Sequence, residues 1–264
     1  MGTSGVYSGS GGKDGKAVRH AIGDYLDGLP GGDAPTGPDG DRPPLDPAAL
    51  QRIIHLIRPR SSGGAGGDGP GGGGGVGGRA SGRGGGSRSG GGPARSAAGS
   101  ARSAGRAAAA AYAYRTGDAT TLQRLGLDYN ELRGLDDDFE VLRRIVDMAC
   151  STPDSTIEDH EQRLVAAEVG EWVLEQERDG NPPTPEEIVR QAIATIIAET
   201  LLVESGDLVN SHEQADVAES DIRDAAEAMA ARATLSVAGA TEDEISQAVE
   251  AGLETLRGIV GGGA

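Results

Sequence analysis

Two lysines near the start of the chain stand where a phosphate-binding loop would place one. Gly12-Lys13 and Gly15-Lys16 supply its Gly-Lys pair, and in such loops backbone N–H groups and a lysine hold phosphates. The spacing does not complete the motif. Six positions before each lysine stand Tyr7 and Ser10 rather than glycine, and Ala17 occupies the place of the metal-binding Ser or Thr. His160-Glu161 and His212-Glu213 open the helical zinc-protease pattern, but Leu164 and Asp216 replace its second histidine. Both pairs are expected on the surface near helix starts. Cys150 has no histidine nearby in sequence to activate a thiolate and is expected to be buried and structural. Acid pairs such as Asp136–Asp138 and Glu242–Glu244 fall where helices begin, and capping accounts for them. No catalytic constellation, metal site or cofactor site emerges, and a non-enzymatic protein is the expectation.

The elements that would position any site divide unevenly along the 264 residues. Glycine accounts for 45 of them and concentrates in residues 59–93, a Gly/Ser/Arg tract whose composition is that of a flexible coil. Residues 1–116 hold 12 Leu, Ile, Val and Phe, whereas residues 117–264 hold 36. The second part can therefore build a core. Charge divides at the same place: 14 Lys/Arg against 8 Asp/Glu up to Thr116, then 10 against 33 from Gly117. An acidic body repels nucleic acid, while a basic segment beside it can fold back or reach an anionic partner. One cysteine excludes an internal disulfide. The start Met1-Gly2-Thr3-Ser4-Gly5-Val6 lacks the apolar run of a secretory signal, and no stretch reaches the roughly 20 apolar residues of a spanning helix. A cytoplasmic protein without membrane contact is expected.

Taken in order, residues 1–58 read as an arm with two short helices. Val18, Ile22, Tyr25 and Leu26 share one helical face over Ala17–Leu26. Asp46-Pro47 starts the second helix, with Leu50, Ile53, Ile54 and Ile57 as one stripe before Pro59. These four residues form a candidate docking helix, whose apolar face must meet either the body or another protein. Residues 59–93 read as a linker, and residues 94–264 as a helical domain that is acidic from 117. Its alanine-rich start, Arg95–Tyr114, reads as a helix weakened by Gly99 and Gly105. Further helices are expected from the Asp136–Asp138 cap through Phe139 to Cys150, and from a Ser155–Glu158 capping box through Trp172 and Val173. Others follow from Thr184-Pro185-Glu186-Glu187 through Leu201, over Val217–Ser236 and over Glu242–Gly258. The helix after Thr184 is apolar around much of its circumference and is expected at the centre. The fold class is all-α, a bundle of five to seven helices preceded by a long Gly-rich region.

Three features together carry a resemblance: the Met1-Gly2-Thr3-Ser4 start, the Gly/Ser/Arg tract, and the stretch from Ala94 ending in Leu125-Gly126-Leu127-Asp128-Tyr129-Asn130-Glu131-Leu132-Arg133-Gly134-Leu135. With the acidic helical domain that follows, these resemble the QatB component of the bacterial Qat anti-phage defence system. The resemblance touches about a third of the chain. The arm departs from it, with no tryptophan between Lys13 and Leu29. It implies a non-enzymatic subunit working with an ATPase, a QueC-like enzyme and a TatD-like nuclease. Some QueC-like defence enzymes are thought to act on protein N-termini, so Gly2, Thr3, Ser4 and Gly5 become a candidate substrate tail. The competing expectation is a helical adaptor whose Arg79, Arg83, Arg88 and Arg95 contact nucleic acid through charge alone, there being almost no aromatic residues among them.

Overall fold

A helix with apolar residues on every side has to be enclosed, and α8 (Pro185–Asn210) is that helix. In the computed structural model, which describes residues 10, 12–29, 45–58, 95–135, 137–150, 156–237 and 239–261, Ile188, Ile193, Ile196, Ile197 and Leu201 of α8 are all but fully buried. Thr184 and Glu187 close a reciprocal capping box, and Pro185 takes the first turn, where its missing N–H costs nothing.

The other helices cover α8 or each other. They are α1 (Lys13–Asp27), α2 (Pro47–Leu56), α3 (Ala97–Thr116), α4 (Ala119–Leu125), α5 (Tyr129–Arg133), α6 (Asp138–Ala149), α7 (Ile157–Arg178), α9 (Ala215–Ala230) and α10 (Glu242–Gly261). Helices α9, α7, α1 and α10 pack directly on α8, and α3 lies between α7 and α10. The described residues are thus all-α. A two-residue parallel pairing is the exception: β1 (Ile57–Arg58) lies beside β2 (Arg95–Ser96), with Ile57 opposite Arg95.

The helix count corrects the expectation of five to seven. Ten occur among the described residues, eight of them from Ala97 onward. The Leu122–Leu135 stretch contributes two very short ones, separated by Gly126 in the left-handed conformation (φ 86°) and started by the Asp118 and Asp128 side chains. Helix α9 stops at Ala230 rather than Ser236, and residues 234–237 run without helix while Leu235 lies against the backbone of Gly252. The reciprocal cap at the start of α7 joins Thr156 to Asp159, one residue later than the Ser155–Glu158 spacing suggested. Phe139, through which the expected helix runs, is 66% exposed at the start of α6. Val141, Ile145 and Ala149 take the buried face, about a third of a turn away.

Alanine decides how α3 packs. Ala101, Ala104 and Ala107–Ala111 are fully buried, and small side chains let α7 and α10 approach closely. The two glycines that weaken α3 as an isolated helix serve this approach. A Cβ on Gly105 would overlap the Ser246 hydroxyl and come within 3.0 Å of backbone atoms of Glu242 and Ser246. On Gly99 it would meet the movable end of Gln162. We therefore expect Gly105→Ala to lower stability by about 1–3 kcal/mol, overlap outweighing the gain in helix propensity. Gly99→Ala should stay within about 1 kcal/mol of the parent in the same urea titrations.

Candidate functional site

The chain before α1 is fastened to the far half of α8. The backbone N–H of Ser10 donates to one carboxyl oxygen of Glu204, and its hydroxyl donates to the other, each at 2.6 Å. Glu204 is completely buried. One turn along, Arg19 forms a two-pronged pair with Asp207 (2.6 and 2.7 Å) and also donates to the Glu204 backbone carbonyl at 3.1 Å. The Arg19 hydrogen bonds hold the Asp207 carboxyl below the usual carboxylate range. At the far end of α1 the Tyr25 hydroxyl donates to Asp221 of α9. Gly15 makes the first contact possible, since a Cβ there would lie 2.5 Å from the Ser10 carbonyl.

The candidate tail Gly2, Thr3, Ser4 and Gly5 lies outside the described residues, and Ser10 is the first described residue after it. The candidate docking helix is spent inside the molecule. Leu50, Ile53, Ile54 and Ile57 are buried, and α2 packs on α1, α8 and α10. Its last carbonyls lack helical donors, and Arg257 of α10 supplies them by donating to the carbonyls of Ile54, His55 and Ile57. Burial lowers the Arg257 pKa. Beside this contact Ile54, Ile57, Leu253 and Arg257 line a cleft of about 190 Å³. Of the candidate anion contacts, Arg79, Arg83 and Arg88 lie outside the described residues, while the backbone of Arg95 belongs to β2. The ends of the Gly/Arg tract are therefore held side by side.

A second polar centre escaped the sequence reading. Arg223 of α9 grips Glu168 of α7 with both guanidinium prongs (2.8 and 2.9 Å) and also reaches Glu219 and the buried Glu199 of α8. One cation faces three carboxyls, and a proton held by one of them lowers the excess negative charge from two to one. Burial, then the Glu168 charge, pushes Glu199 up to about 8. The sequence signal was available: Glu199 and Glu204 interrupt the most apolar helix of the chain.

The remaining candidates stay apart. His160 is exposed, its neighbour Glu161 is buried, and His212 accepts from the Gln214 N–H through Nδ1. Cys150 is half-buried rather than buried, with Sγ 3.7 Å from the Gln162 carbonyl. Among the described residues no group of three or more His, Cys, Asp or Glu could hold a metal, and no helix is long and apolar enough to cross a membrane. The molecule is an all-α protein whose N-terminal segment is tied by buried polar contacts to its central helix. Compared with known protein families, characterised proteins and solved structures, the chain matches none.

Two outcomes follow from the polar centres. Ser10→Ala removes a donor from a buried carboxyl and should lower stability by about 1–3 kcal/mol, while Ser211→Ala, at an exposed position, should have little effect in the same melts. Glu199 ionises near 4.5 when unfolded but near 8 when folded, so it makes stability fall as pH rises between those values. Glu199→Gln should remove that slope. Relative to the parent it should be unchanged at pH 4 and gain up to about 4 kcal/mol by pH 8, as read from urea midpoints across the range.

Proposed function

We propose that this chain is a non-enzymatic subunit of an anti-phage defence complex, binding a QueC-like enzyme and offering its Gly-rich N-terminus to that enzyme as substrate. The observation that supports this reading is the tether of Ser10 to Glu204, backed by Arg19 on Asp207. A substrate tail has to be held by a rigid body at one end and unhindered at the other. The tether ends at Ser10, and Gly2, Thr3, Ser4 and Gly5 precede it, all small enough for a narrow active-site entrance. Fully extended, residues 2–9 would reach about 26–29 Å from the anchor, enough to enter a partner's active site while the helical body stays docked. The Gly/Arg tract does not set this reach, because it begins and ends at the paired β1 and β2.

That pairing supports a second reading, a helical adaptor whose basic tract contacts nucleic acid. The residues that flank the tract leave and rejoin the body at one place, and contact through charge alone would be strongly salt-dependent. Intact mass spectrometry separates the two. After co-expression with a QueC-like partner, the substrate reading expects a mass change mapped to the N-terminal peptide, abolished by Gly2→Trp. An unchanged mass, together with salt-sensitive RNA binding lost on Arg→Ala changes at Arg79, Arg83, Arg88 and Arg95, would move the assignment to the adaptor.

A further inference from the structure

The Gly-Lys pairs that fail as a phosphate loop reappear in the fold as one wall of a groove. Lys13 and Lys16 lie one turn apart on α1, followed by His20, while Arg52 projects from α2 on the same groove. The groove is large, about 670 Å³, within the range of sites that hold small ligands. With His20 neutral its lining carries three cations against Asp24 and Asp46. In a chain with a net charge of −17, Lys13, Lys16 and Arg52 make no ion pair among the described residues, whereas Arg19, Arg106, Arg115 and Arg223 each have a carboxyl partner. Unpaired cations gathered from two helices repel one another, and an anion placed between them relieves that repulsion.

We infer that the groove between α1 and α2 binds a small phosphate ester carrying two or three linked phosphates. A single anionic group could satisfy one or two of the cations. The three positive charges of Lys13, Lys16 and Arg52 are closer to the charge of a di- or triphosphate than to that of a single phosphate. The groove also contains Asp46 and Asp24, the latter with one carboxyl oxygen 2.7 Å from His20 Nδ1. These carboxyls disfavour a uniformly charged polymer but accept hydrogen bonds from sugar hydroxyls, as acidic residues do in nucleotide sites. Ala17 and Ala21 leave room between the charged positions. The ligand class is therefore a sugar or nucleoside di- or triphosphate. The lysines act from the helix itself, not from a loop ahead of it, which is why the loop spacing is absent. This site is separate from the Ser10 anchor and does not depend on the substrate-tail reading.

Calorimetric titration of the full chain at low salt tests the inference, with ADP, AMP, adenosine and inorganic tripolyphosphate as probes. ADP should bind saturably at one site, at least tenfold more tightly than AMP, with adenosine inert and tripolyphosphate competing. The Lys13→Ala/Lys16→Ala double variant should weaken ADP at least tenfold without lowering the melting temperature, because both lysines are exposed. Arg52→Ala should weaken it as well. Arg143→Ala/Arg144→Ala, on α6, should leave binding unchanged. Absence of saturable ADP binding overturns the inference. So does equal weakening by the α6 variant, and so does binding confined to an RNA oligonucleotide.

Discussion

The architecture follows from one requirement, that residues 192–201 of α8, buried without a break, be covered on all sides. In water a buried Ile or Leu side chain is worth about 1.5–3 kcal/mol, so any exposed flank of α8 would be costly. Six helices, α1, α2, α3, α7, α9 and α10, share this cover. Alanine-rich α3 solves part of the problem by letting α7 and α10 close in around it. The two arm helices solve the rest. With Val18, Ile22, Ile53 and Ile54 fully or almost fully buried, α1 and α2 are parts of the core and the cover of α8 is incomplete without them.

Polar groups within so apolar a helix each need their own solution. Thr200 and Ser205 return their hydroxyls to carbonyls one turn back, at 2.7 Å. The two buried glutamates are handled differently. Glu204 has both oxygens occupied by Ser10, whereas Glu199 shares a single arginine with Glu168 and Glu219 and keeps a proton. The first arrangement fixes where the N-terminal segment enters the body. The second makes the junction of α7, α8 and α9 sensitive to pH. Both cost desolvation that a leucine would not, and each gives the helix a partner that hydrophobic packing alone would not select.

Charge joins the two parts of the chain. The basic early segment meets the acidic later one at Arg19 with Asp207, Arg106 with Glu242 and Arg115 with Asp138. Pairs this exposed contribute little to stability one by one, but they are consistently of one polarity and orient the early helices on the later ones. Arg257 does the reverse, leaving the acidic part to supply donors to the end of α2. The cations of the α1–α2 groove stand outside this pattern, which is what sets them apart chemically.

Periodicity and caps determined the helices. The Thr184–Glu187 box, the apolar circumference after it and the stripes of α1 and α2 could all be read directly, because a helical face and its first turn are local properties. The same local rules hid the breaks in the 119–135 stretch, where five- and seven-residue helices carry too few turns to show a period. A stripe also gives spacing but not which edge of it the neighbours cover, and Phe139 at the start of α6 is left exposed. Whether α2 docked at home or elsewhere, which glutamates found Ser10 and Arg223, and that Lys13, Lys16 and Arg52 would share one groove were decided only by tertiary structure. Each joins residues distant in sequence, and such meetings depend on how helices cross, a property that no single stretch of chain contains.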